Sequence, residues 1–212
     1  MTRKAAASAR SLYGVHPSVD YARAIVENLR AKTGRSFEEW CRVLRSDGPD
    51  DESARRDWLM KRHRLGSTTA WMVAELSVGK GREGVDPDAY LAAAPGYVER
   101  MYAGKKAALR PIHDALVALG RSVAPAVRIC PCETMVPFYR EHVIAQIKPS
   151  TLTRIDFGLA LKGAREKPPA RLASTGGLAK GDRITHRFAI RTKEQIDAEV
   201  RRWLEIAWDL DG

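Results

Sequence analysis

A chain of 212 residues, 44% hydrophobic and 29% charged, can bury one sizeable core or a moderate core plus a small helical satellite, which excludes disorder throughout. Its Lys and Arg outnumber Asp and Glu to a formal charge of +10, which favours an anionic partner, either nucleic acid or a small phosphorylated or carboxylate ligand. No apolar run approaches the roughly 20 residues that cross a bilayer, and three scattered cysteines set no disulfide framework, so a cytoplasmic protein without a membrane partner is expected.

Residues 1–17 begin with Arg and Lys among Ala and Ser and contain no apolar signal core, so they are expected to form a flexible basic arm. A helical bundle is expected over 18–78. Val19, Ala22, Ile25, Val26 and Leu29 recur at helical spacing up to Thr33-Gly34. Ser36 with Glu39 three residues on forms a capping box for a second helix carrying Phe37, Trp40, Val43 and Leu44. Helices from about Asp51 to His63 and around Ala70 to Leu76 complete a bundle expected to pack on Trp40, Trp58 and Trp71.

Residues 79–94 are expected to be a linker. Gly79-Lys80-Gly81-Arg82-Glu83-Gly84 spells G-x-G-x-x-G, but a dinucleotide site needs a strand before it and a helix directly after it, because the glycines admit a pyrophosphate to a helix N-terminus. Here a helix precedes and Val85-Asp86-Pro87 follows. Pro87 to Ala93 and Pro95 to Tyr102 then read as two short helical turns, and Lys105 to Leu119 as a helix ended by Gly120.

Over 95–212 the period changes. Strands are expected near Val127–Cys130, Met135–Tyr139, His142–Lys148, Arg154–Leu161 and Thr185–Arg191, the last three alternating apolar with polar residues. A helix from Lys193 to about Asp209 closes the chain. With no room for a helix-sized crossover between the strands except in the Gly/Pro-rich loop from Gly163 to Asp182, the fold class is α+β: a small helical bundle followed by an antiparallel sheet flanked by helices.

AKTGRSFEEWCRVL and RDWLMKRHRLGSTTAWMVAEL resemble a short all-helical bacterial domain of unknown function, over about residues 18 to 77. Arg35 stands where that pattern usually has Lys. GKKAALRPIHDAL, IAQIKPSTLTRIDFGLALKG and ITHRFAI resemble a second bacterial domain of unknown function, often labelled a predicted transport protein, over about residues 97 to 210. The resemblance implies a domain identity. Without an apolar span, transport is not carried over from the label.

In a meander, Lys148, Arg154 and Asp156 share the polar face of the sheet with Gln146, and Arg128 and Arg187 are expected to join them. Cations converging from separate strands can hold a phosphate or carboxylate, with Asp156 orienting an arginine. On a fully solvated face the same pairs contribute under about 1 kcal/mol each. Phe138 and Tyr139 are candidates for stacking bases. Glu133 followed by Gln146-Ile147-Lys148 faintly echoes metal-dependent nucleases, but the central Asp is missing. Cys130-x-Cys132 has no second Cys/His pair to complete a zinc site, and His113 and His186 read as satisfied core histidines. No metal and no cofactor are expected. The reading is a non-catalytic binding module that engages an anionic partner through a basic sheet face, with a nuclease-like enzyme or a ligand-free interaction scaffold as alternatives.

Overall fold

A computed structural model describes residues 11–212. The first ten residues of the expected basic arm therefore lie outside the described residues. The described chain forms two compact units: one takes His16–Ala93, the other Ala94–Gly212 with Ser11–Val15.

The first unit is helical, with α1 (Pro17–Glu27), α2 (Leu29–Thr33), α3 (Phe37–Asp47), α4 (Glu52–His63) and α5 (Ser67–Ser77). The single helix expected from Val19 to Arg30 divides at Asn28, whose side-chain amide donates to the Ala24 carbonyl and competes with the helical ladder. Gly34, in the left-handed region at φ 79°, ends α2. The capping box forms as its spacing implies: Ser36 Oγ accepts from Glu39 N at 3.3 Å and Glu39 Oε2 from Ser36 N at 2.7 Å. The core is Leu29, Trp40, Leu44, Leu59, Leu65, Ala70, Val73 and Ala74. Trp71 is not part of it. On α5 the buried stripe runs through Ala70, Met72, Val73 and Ala74, which turns the Trp71 side chain outward.

Pro87–Met101 is one helix, α6, where two Pro-led turns are expected. Pro95 removes a single ladder bond, and the Ala92-Ala93-Ala94 run before it has the highest helix propensity available.

The second unit is α+β. A turn at Gly104–Leu109 leads into α7 (Arg110–Val123), and the closing helix is α8 (Ala198–Asp209). Between them lie β1 (Arg128–Ile129), β2 (Val136–Tyr139), β3 (Val143–Lys148), β4 (Ile155–Leu159), β5 (Leu172–Ser174) and β6 (His186–Ile190). All neighbours are antiparallel, in the order β1-β2-β3-β4-β6-β5. β5 falls inside a stretch that reads as a Gly/Pro-rich loop. Three residues on an edge are too short for a period of two to show.

Register sorts the faces. Val136, Ile147, Phe157, Phe188 and Leu172 lie in one row across the sheet, and Phe138, Ala145 and Leu159 in the next. All are buried, α7 packs on α8, and α8 packs on β3 and β4. Ile129, Phe138 and Phe157 belong to this inner layer, so Phe138 is core and not a stacking platform. The opposite face carries Gln146, Lys148, Asp156 and Arg187.

Candidate functional site

The site begins with the β3–β4–β6 register. Lys148 pairs with Asp156 across β3 and β4, and Gly158 pairs with both Gln146 and Arg187. Two residues of offset on adjacent strands bring the long Arg187 side chain diagonally onto Asp156. Arg187 Nη1 lies 2.6 Å from Asp156 Oδ1, and Arg154 Nε lies 2.9 Å from the same oxygen. Neither of these contacts has hydrogen-bond alignment, so they are ion pairs sharing one acceptor. Burial raises the Asp156 carboxyl, but the Ser150 hydroxyl and the Arg187 and Arg154 guanidinium groups outweigh it and hold the group below the ordinary carboxylate value. One carboxylate between two guanidinium groups leaves a net positive triad.

Lys148 ends β3 and lines a cleft of about 580 Å³ beside the triad. Lys105 and Lys106, Arg100 near the end of α6, Glu133 ahead of β2, and Ser150 and Leu152 of the β3–β4 turn line the same cleft. Lys106 Nζ donates to the Pro149 carbonyl at 2.9 Å, which ties the turn before α7 to the β3–β4 turn. Arg100 Nη2 pairs with Glu133 Oε1 at 3.0 Å. Lys105 and Lys148 have no ion-pair or hydrogen-bonding partner for their ammonium groups among the described residues. A cleft in which four cations face a single carboxylate attracts anions, and two of the cations are free to coordinate one.

Of the residues singled out in the sequence, Lys148, Arg154, Asp156 and Arg187 come together. Arg128 does not. It sits on edge strand β1, with β2 and β3 between it and β4, about 14 Å sideways at the usual strand spacing. Its guanidinium lies 5.9 Å from the Tyr139 ring centroid and donates to the Arg140 carbonyl. Sequence reasoning missed Arg100, Lys105 and Lys106, which approach from the helical side of the unit. The adjacent cations of Gly104-Lys105-Lys106, directly after a helix end, are the signal that marks them.

The polar face is covered over Gly158. The last strand starts at His186, and Ile184, two residues ahead of it, lies over Gly158, where an added Cβ would collide with its methyl group. Thr185, between them, is buried: its amide donates to the Leu159 carbonyl at 3.0 Å and its hydroxyl accepts the Leu161 amide at 3.1 Å.

Glu133 and Lys148 share the cleft, but Glu133 is engaged by Arg100, and among the described residues no group of three His, Cys, Asp or Glu is placed to hold a metal. Burial pushes the Cys130 thiol up to about 12 and raises Cys132 as well, so both are inert at neutral pH. His113 is buried with Nδ1 unpaired, which departs from the satisfied core histidine expected of it. Among the described residues no helix is long and apolar enough to cross a membrane.

Residues 98–211, which include the whole sheet, α7, α8 and the cleft, match the family described as Domain of unknown function (DUF5655). No curated protein matches the chain, and no solved structure does. The match spans more than half of the 212 residues, and by it the chain belongs to the DUF5655 family.

Proposed function

We propose that the second unit is a non-catalytic binding module for an anionic ligand. The ligand is held in the cleft by Lys148 and Lys105, with Lys106 and Arg100 adding to the potential and the Arg154–Asp156–Arg187 triad beside them. The observation that carries this reading is the pair of unpartnered ammonium groups, Lys105 and Lys148, brought from distant parts of the chain to one cleft of about 580 Å³. Unpaired like charges are kept together at an electrostatic cost, and a bound phosphate or carboxylate removes it. A compact ligand fits better than stacked bases, since Phe138 is buried, Tyr139 lies against Arg128, and among the described residues no aromatic side chain lines the cleft.

Titrations of the full chain with inorganic pyrophosphate and with labelled single- and double-stranded oligonucleotides, over a series of salt concentrations, test this reading. Pyrophosphate is expected to bind saturably and more weakly as salt rises, and Lys105→Ala with Lys148→Ala to weaken it by about tenfold or more. Binding that ignores salt, or that survives loss of both lysines, overturns the reading. Affinity that climbs with oligonucleotide length in a Lys148-dependent way moves the ligand from a compact anion to nucleic acid.

A further inference from the structure

A second pocket of about 360 Å³ shares no lining residue with the cationic cleft and has a different charge pattern. One part of its wall is aliphatic: Ala160 after β4, Ala207 on α8, Leu178 and Leu210. Leu178 is 58% exposed and Leu210 41%, so two large aliphatic side chains flank the pocket with nothing over them. Apolar side chains left bare around a concavity mark a place where a ligand is covered.

Four charged groups line it, and they divide cleanly. Arg183 and Asp211 are committed to the protein: the guanidinium pairs with the carboxylate and donates Nε to the Val143 carbonyl, and the carboxylate also accepts the Glu141 and His142 amides. Lys162 and Asp182 are not committed, since neither side chain has an ion-pair or hydrogen-bonding partner among the described residues. The pocket therefore offers one cation, one carboxylate and an aliphatic wall, with no net charge to favour a polyanion. Small-molecule sites run from about 300 to 1,000 Å³. At about 360 Å³ this one suits a small ligand.

We infer that this pocket binds a free α-amino acid with an aliphatic side chain. Lys162 takes its carboxylate, Asp182 its ammonium group, and Leu178 and Leu210 enclose its side chain. The inference does not depend on the anionic ligand proposed for the cleft.

Calorimetric titration of the full chain with L-leucine tests it. Saturable binding is expected, weakened by about tenfold or more when the carboxylate is removed in L-leucinamide, when the ammonium is removed in 4-methylpentanoate, and when the aliphatic group is removed in glycine. Lys162→Gln and Asp182→Asn, both at exposed positions, should each weaken L-leucine to a similar degree, while Lys148→Ala leaves it unchanged. No saturable binding of L-leucine overturns the inference. So does equal binding of any of the three analogues, a result that needs no variant to fold, and so does binding that persists in Lys162→Gln.

Discussion

Gly120 of α7 faces the Phe138 ring of β2 so closely that a Cβ added there would collide with it. The absence of a side chain is what lets the helix approach the sheet. Gly120→Ala gains about 1 kcal/mol of helix propensity but overfills the interface, for a net destabilisation of about 1–2 kcal/mol. Gly96→Ala, in α6, is the contrasting case. Its new methyl meets only the mobile tip of Arg100 at 3.2 Å, so stabilisation of about 0.5–1 kcal/mol is expected. Urea unfolding of the two variants should give opposite signs.

Asp156 keeps Arg154 and Arg187 from repelling one another, so its removal should be felt beyond the lost contacts. The three side chains are 17–34% exposed, between a solvated pair and a buried one, and Asp156→Asn is expected to destabilise by about 2 kcal/mol at pH 7. The folded carboxyl titrates below its ordinary 3.8. Its contribution is therefore present above that value and is lost as pH falls through the lower, folded value. The gap between wild type and Asp156→Asn should close over that acidic range in parallel denaturation curves.

Asp211 joins three parts of the second unit. Its carboxylate, 3% exposed, accepts the Glu141 amide at 3.0 Å and the His142 amide at 2.7 Å and pairs with Arg183. Asp211→Ala leaves those donors to water or to nothing and is expected to destabilise by about 1–3 kcal/mol. Hydrogen exchange at Glu141 and His142 should accelerate by more than that at central sheet amides such as Phe157. Equal acceleration at all sites would mean that the carboxylate supports global stability and does not fix the β2–β3 turn.

The strands other than β5, the capping box and the polar-face cluster are legible because each is written in local order. Gln146 and Lys148 alternate with Ala145 and Ile147, and Ser36 stands three residues from Glu39. What escaped depends on partners distant in the chain. Gly120 reads as a helix terminator, yet α7 runs on to Val123, and the proximity of Phe138 explains why that helical position carries no side chain. Arg128 has the right residue type and the right face, but its place in the strand order, which no local pattern encodes, puts it at the far edge. Lys105 and Lys106 lie on a turn before α7 and meet Lys148 only through tertiary folding, so half of the cleft has no period to betray it.

The last consequence concerns His113, buried in α7 with its ring 4.8 Å from that of Tyr102. Burial pushes its pKa down to about 4 from 6.5, the nearby Asp114 and Glu99 carboxylates opposing this and Arg110 assisting it. Protonating the ring in the folded protein would bury a charge, whereas the unfolded chain accepts the proton near 6.5. Between those two values the unfolded state binds more protons, so stability is full above 6.5 and falls as pH drops toward 4. The loss amounts to about 2 kcal/mol by pH 5. His113→Leu removes both this titration and an unpaired Nδ1, so its stability should decline less than the wild type's from pH 7 to pH 5, the remainder coming from groups such as His63 and His186, which burial also shifts down. Urea midpoints at the two pH values measure the difference directly. A wild-type decline that persists unchanged in His113→Leu would assign the pH sensitivity to another group.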